Sequence, residues 1–361
     1  MRGHQRQAAH SGGQRLSLLR VGGLSPANFA IVMATGILGV AAHQQGYAGL
    51  DRALLAVAAA AWLLILGLHA RRLARHRAEM LADLRSHQRA PGFLTCVAGT
   101  SVLASLWLVL GLGADVSQLL GALAAALWVA VTYGVLLALT LQREKPPLAD
   151  SLSGSWLLLV VATQSVAVVA VLLAGGLAQP ARLLLNFVAL AMWLCGGMLY
   201  VWVISLIFYR YVFFRMQAQD IGPTWWINMG AMAISALAGA LLVANTPGAP
   251  FLSGLLPVLR GGTLLYWAVG TWWIPLLAGL AAWRYLRARY PLRYDVGYWG
   301  VVFPLGMYSA ATHQMAQALG LAFLAPLARG GFYLAAAAWV LTALGLAAQL
   351  LRGFAAAQSG T

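Results

Sequence analysis

"ALLAVAAAAWLLILGL", residues 53–68, holds no charged side chain, and the nearest charges are Arg52 before it and Arg71 after it. With its flanks it fills the roughly 20 residues a helix needs to cross the hydrocarbon core of a bilayer. The run is continuously apolar and does not alternate with period two, so it reads as helix and not as a barrel strand. Similar runs recur along almost all of the 361 residues. The chain is 61% hydrophobic and 9% charged, with a mean hydropathy of +0.79. Soluble domains carry about 25% charged residues. The reading is an all-α polytopic membrane protein.

Ten spans are predicted, at about 25–45, 51–70, 91–113, 117–141, 151–176, 181–209, 222–244, 260–286, 295–319 and 325–350. The links are short, so one transmembrane domain is expected over residues 24–352. It lies between an N-terminal tail, 1–23, and a C-terminal tail, 353–361. The net charge of +15 falls in the gaps between spans, which suits topology better than nucleic acid. With both termini in the cytosol, every Lys and Arg is cytosolic except Arg52, Arg182, Arg260 and Arg329. That asymmetry is the positive-inside pattern and sets the expected orientation; the expected location is an inner, plasma membrane. The most basic stretch, "HARRLARHRAEMLADLRSHQR" (69–89), reads as a topology anchor or as a binder of anionic lipid. Cys96 and Cys195 both fall inside spans and give no disulfide framework or metal pair. The basic first 20 residues before an apolar run mimic a signal peptide, but nine further runs follow and no cleavage site is evident.

Outward from residues 53–68, the neighbouring spans differ in kind. Odd spans contain "VMATGILG" (32–39), "VAGTSVLAS" (97–105), "VVATQSVAV" (160–168), "INMGAMAISALAG" (227–239) and "LGMYSAATHQM" (305–315). Even spans are Leu-, Ala- and Val-rich, as in "AAAAWVLTALGLAAQLL" (335–351). The period is near 70 residues. Small residues in membrane helices permit close packing. Their recurrence in alternate spans predicts five helical hairpins around a central pore, with slim neutral helices inside and greasy helices facing lipid.

All odd spans run from cytosol to outside. Ser25-Pro26, Pro91-Gly92, Asp150-Ser151, Asp220 with Pro223, and Asp295 are start signals for their helices. Helix N-termini gathered at one mouth favour an anion. No Asp, Glu, Lys or Arg lies in the middle of a predicted span, so neither a proton relay nor a tight anion site is visible. In the ninth span Pro304 should kink the helix, and Phe303 beside it would block a narrow axis as a hydrophobic gate. Pore-lining candidates are Thr35, Gly36, Thr100, Ser101, Thr163, Gln164, Asn228, Gly306, Ser309 and Thr312. Gln164 and Asn228 read equally as interhelical hydrogen-bonding groups, and Phe303 equally as a core residue.

"YDVGYWGVVFPLGMYSAAT" (294–312), "GPTWWINMGAMAISALAG" (222–239) and "SPANFAIVMATGILG" (25–39) together resemble the tellurite-resistance/C4-dicarboxylate transporter family, which is related to the plant slow anion channels. The resemblance runs from about residue 24 to 350. It implies ten spans in five hairpins around a pore, a homotrimer with one pore per subunit, and a plugging phenylalanine on the ninth span, matched here by Phe303.

The expected function is a membrane anion channel or facilitative transporter for small inorganic anions or carboxylates such as malate. The alternative is a secondary exporter of tellurite, sulfite or C4-dicarboxylates. A third reading, a haem-binding redox subunit, rests on His43 and His313 near the outer ends of their spans. No metal site, cofactor or enzymatic motif is expected: Walker, HExxH and GxSxG patterns are lacking. Trp225, Trp226, Trp283 and Trp299 read as an aromatic belt, and Trp272 and Trp273 as deeper packing residues.

Overall fold

The computed structural model describes residues 21–358. The tail expected at 1–23 therefore falls almost wholly outside the described residues, whereas most of the tail expected at 353–361 lies within them. Ten long helices follow in chain order: α1 (Ala30–Gln44), α2 (Leu50–Arg75), α3 (Leu94–Val109), α4 (Ala114–Thr140), α5 (Leu158–Gly175), α6 (Ala181–Phe213), α7 (Ile227–Asn245), α8 (Leu256–Ala282), α9 (Trp299–Leu319) and α10 (Ala325–Gln358). No strand occurs among the described residues. The last helix runs through residue 358, beyond the end expected near 350.

Nine of these helical segments are long and apolar enough to cross a membrane. The remaining long helix is α9. Its sequence carries Gly300, Pro304, Gly306, Tyr308, Ser309, Thr312, His313, Gln314 and Gln317, which dilute its hydropathy. Protein surrounds it on most sides, so it needs little apolar surface of its own.

Alternate helices contact one another in a cycle: α1 on α3, α3 on α5, α5 on α7, α7 on α9 and α9 back on α1. Each also packs on the helix that follows it in the chain. Burial separates the two sets. The apolar window of the segment holding α5 is 94% buried, and that of the segment holding α10 only 11%. The second set exposes Leu63, Leu64, Leu137, Phe213 and Leu341. So much exposed apolar surface is a membrane-embedded belt.

Small residues set the spacing inside the cycle. A Cβ on Gly36 would lie 2.8 Å from Val102 Cγ1, and one on Gly230 would lie 2.7 Å from Pro304 Cγ. α9 continues through Pro304, and the bare face of α7 at Gly230 accommodates the pyrrolidine ring.

Every inner helix opens with a short 3₁₀ turn: Pro26–Phe29, Ala90–Phe93, Gly154–Leu157, Pro223–Trp226 and Val296–Tyr298. Only two of the expected cap side chains act on such a turn. Ser25 Oγ accepts from Ala27 N at 3.3 Å and Asp295 Oδ1 accepts from Gly297 N at 2.7 Å. Asp220 instead accepts from Gln217 N at 2.8 Å.

Four hairpins are pinned at this end by one device. A polar side chain near the end of the outer helix donates to a carbonyl just ahead of the inner helix. Arg72 donates to Gly22, Gln142 to Arg85, Arg210 to Leu152 and Arg284 to Ile221. The arginines of this face therefore do structural work.

Candidate functional site: the axis of the inner ring

One narrow cavity, of about 50 Å³, lies on the axis, and all five inner helices border it. Its deepest layer takes one residue from each: Ile37, Val102, Ser165, Ile234 and Met307. It then runs toward the C-terminal ends of the inner helices between Val40, Val109, Val168, Leu172, Leu237 and Leu241. The remaining lining residues, Ser105, Gln44 and Gln314, add polar groups. None of these fourteen side chains is ionisable.

One helical turn below the deepest layer, four residues earlier on each helix, stand Met33, Ala98, Val161, Gly230 and Phe303. Residues four apart share a face. All five are buried, and Phe303 has no exposed surface. Phe303 is the only aromatic side chain of this layer, and three of the other four are Ala, Val and Gly. The position expected to gate is thus stacked under Met307, where the cavity stops.

The predicted pore-lining residues lie elsewhere. None of the ten borders the axial cavity. Thr35, Thr100, Thr163 and Thr312 each accept a hydrogen bond, at 2.9 Å, from a tryptophan indole of an outer helix: Trp339, Trp62, Trp128 and Trp267. Ser309 donates to the Ala328 carbonyl of α10 at 2.7 Å, and Gly306 packs on Ile37 of α1. Gly36 packs on Val102. Gln164 donates to the Trp193 carbonyl at 3.0 Å, and Asn228 donates to the Tyr211 hydroxyl at 3.2 Å, so both act as interhelical hydrogen-bonding groups. Ser101 is buried beside Val102 with an unpartnered hydroxyl oxygen.

The expected helices are the ones on the axis, but the register is displaced by one or two residues. A hydroxyl in an apolar helix is visible in a sequence; the direction it points is set by its partner. The residues missed are Ser105, Ser165, Gln44 and Gln314. Their signal is helix phase, because the tight glycines at 36 and 306 mark the sides of the inner helices that face neighbours and not the axis.

The histidines are engaged locally. His43 Nδ1 lies 3.0 Å from Asp51 Oδ2, and His313 Nε2 lies 2.9 Å from Gln317 Nε2. No group of three or more metal-ligating side chains occurs among the described residues. Of the tryptophans expected in a belt, Trp225 and Trp299 are buried instead, the latter donating to the Tyr294 hydroxyl at 3.0 Å. Burial pushes the Tyr294 phenol up to about 12, so it stays protonated and keeps its own proton to donate.

A family model described as voltage-dependent anion channel matches residues 23–347. An "uncharacterized membrane protein" of Mycobacterium tuberculosis is 38% identical over 146 residues, covering 40% of this chain and 73% of that protein. Two proteins of Methanocaldococcus jannaschii, each named "uncharacterized transporter", are also similar. One is 27% identical over 150 residues, 42% of either chain, and the other 29% identical over 121 residues, 34% of this chain and 33% of that one.

Proposed function

The chain belongs to the voltage-dependent anion channel family, and on that premise we propose that it passes small anions along the axis of its inner ring, with Phe303 as the closing group. The observation that carries this reading is the axial cavity. It is bordered by all five inner helices, lacks ionisable side chains, and stops one turn from a fully buried phenyl ring. A neutral, largely aliphatic passage binds an ion weakly enough to release it, which conduction requires. A ring of aliphatic and aromatic side chains also opposes hydrated ions until it moves aside.

In this reading α9 crosses the membrane with the nine more apolar segments, giving ten spans. The arginine-rich face is cytosolic, following the positive-inside pattern, and the protein sits in the inner membrane as a homotrimer, as the family resemblance implies. The substrates are small inorganic anions or small carboxylates such as malate. A second reading, a secondary exporter of tellurite, sulfite or C4-dicarboxylates, draws support from the small size of the closed cavity, since a carrier also occludes its path.

The test is a panel of anion fluxes in proteoliposomes, wild type beside Phe303→Ala. Removing the ring should raise flux about tenfold or more, a barrier lowered by at least about 1.4 kcal/mol. A folded Phe303→Ala protein with unchanged flux for every anion refutes the gate. Saturation and counterflow by the wild type would favour the carrier.

A further inference from the structure

Three of the pinning side chains are arginines, equivalent in position at the ends of α2, α6 and the helical extension of α8. All three are more than nine-tenths buried: Arg72, Arg210 and Arg284. Two have a carboxylate partner. Arg72 Nη2 lies 2.7 Å from Asp83 Oδ2, and Arg210 Nη2 lies 4.0 Å from Asp220 Oδ1. Arg284 has none within 4.0 Å among the described residues. It donates to the Ile221 carbonyl, its Nε has no partner, and its guanidinium lies over the Tyr290 ring at 4.0 Å. A buried charge without a counterion is costly, and an aromatic face offsets only part of that cost.

Beside this arginine, and not beside the axis, is a crevice of about 200 Å³ between the N-terminal ends of α7 and α9 and the C-terminal end of α8. Arg284, Tyr285 and Tyr298 line its polar side, and Trp226, Leu280 and Val301 its apolar side. The two tyrosine hydroxyls are 2.8 Å apart. One donates to the other, which leaves one proton free to donate into the crevice.

We propose that this crevice is a phosphate-binding site, in which a phosphate group supplies the counterion that Asp83 and Asp220 supply to the equivalent arginines. A guanidinium and a phenol present several donors to an anion that has several acceptor oxygens. The group is carried either on an anionic phospholipid, whose chains would follow Leu280 and Val301, or on free phosphate.

Thermal unfolding of the detergent-purified full chain tests this with phosphatidylglycerol, phosphatidylcholine or sodium phosphate at fixed ionic strength. Phosphatidylglycerol or phosphate should raise Tm by roughly 5 °C at about 100 times its Kd, and phosphatidylcholine should not. A rise with the lipid alone assigns a headgroup, and a rise with phosphate alone assigns the free anion. Ala281→Phe fills the crevice while leaving the Arg284–Ile221 pin, and should abolish the rise. Tyr298→Phe removes one hydroxyl and should weaken binding about fivefold. No rise with either phosphate source, an equal rise with phosphatidylcholine, or a rise retained in full by both variants overturns the proposal.

Discussion

Trp339 donates its indole N–H to Thr35 Oγ1 at 2.9 Å, joining the last long helix to the first across 304 positions of sequence. It is one of five equivalent bonds. Trp62, Trp128, Trp193 and Trp267 each reach in the same way from an outer helix to the inner helix of the next hairpin, Trp193 using the Ser235 carbonyl. The hairpins are thereby linked in a circle, and the Trp339–Thr35 bond closes it.

Trp339→Phe should therefore loosen the whole ring. It leaves the Thr35 hydroxyl without its donor and should cost about 1–2 kcal/mol, read as a lower midpoint of thermal or denaturant unfolding. Thr35→Val should cost a similar amount, because it strands the indole N–H. In a double-mutant cycle the pair should cost less than the sum of the two. Strict additivity would show that the bond contributes nothing to closure.

Gly230 lies directly against Pro304 where α7 packs on α9. A methyl group at residue 230 would meet Pro304 Cγ at 2.7 Å, and a proline ring has no rotamer with which to yield. Gly230→Ala should destabilise by about 1–3 kcal/mol and displace the helix that carries Phe303. Altered flux should accompany the lowered stability. A variant equally stable and equally conductive would mean that the contact is loose.

These two relationships show what the sequence disclosed. Small residues in alternate spans announced the inner ring, because backbones can approach only where side chains are short. The direction of the same hydroxyls is not legible, because Thr35, Thr100, Thr163 and Thr312 are as polar facing a tryptophan as facing a pore. The tryptophans at 62, 128, 193, 267 and 339, one in each even span, held the missing information. Read as partners of the threonines, they would have turned those residues outward and left Ser105 and Ser165 for the cavity. Phe303 stands out in the sequence as an aromatic ring beside a proline, and in the structure as the one aromatic side chain of its layer. The arginine pins were not legible, since each depends on a carbonyl 50 or more residues away in sequence.

Asp83 holds two cations at the arginine-rich face. It pairs with Arg72 at 2.7 Å and with Arg89 at 2.5 Å, and Arg72 is almost wholly buried. Asp83→Asn leaves the buried guanidinium without a negative partner and should cost about 3–5 kcal/mol. Replacing both members, Arg72→Met with Asp83→Leu, should recover much of that loss, because no buried charge is left uncompensated and Arg89, the other partner of Asp83, is exposed to solvent. A double variant no more stable than Asp83→Asn would mean that the pin to the Gly22 carbonyl outweighs the ion pair.

The chemistry of the axial cavity predicts how flux responds to protons. Its polar groups are the hydroxyls of Ser105 and Ser165 and the amides of Gln44 and Gln314, none of which titrates. The two nearby histidines are turned to other partners, His43 to Asp51 and His313 to Gln317. A path without a titrating group has nothing to couple to a proton gradient. Anion flux at clamped voltage should therefore change by less than about twofold between about pH 6 and pH 8, where an unperturbed histidine would lose roughly three-quarters of a charge. Collapsing the proton gradient at that voltage should leave the rate unchanged. A steep pH profile abolished by His313→Gln would place that histidine on the ion's route and favour a proton-coupled carrier over a channel.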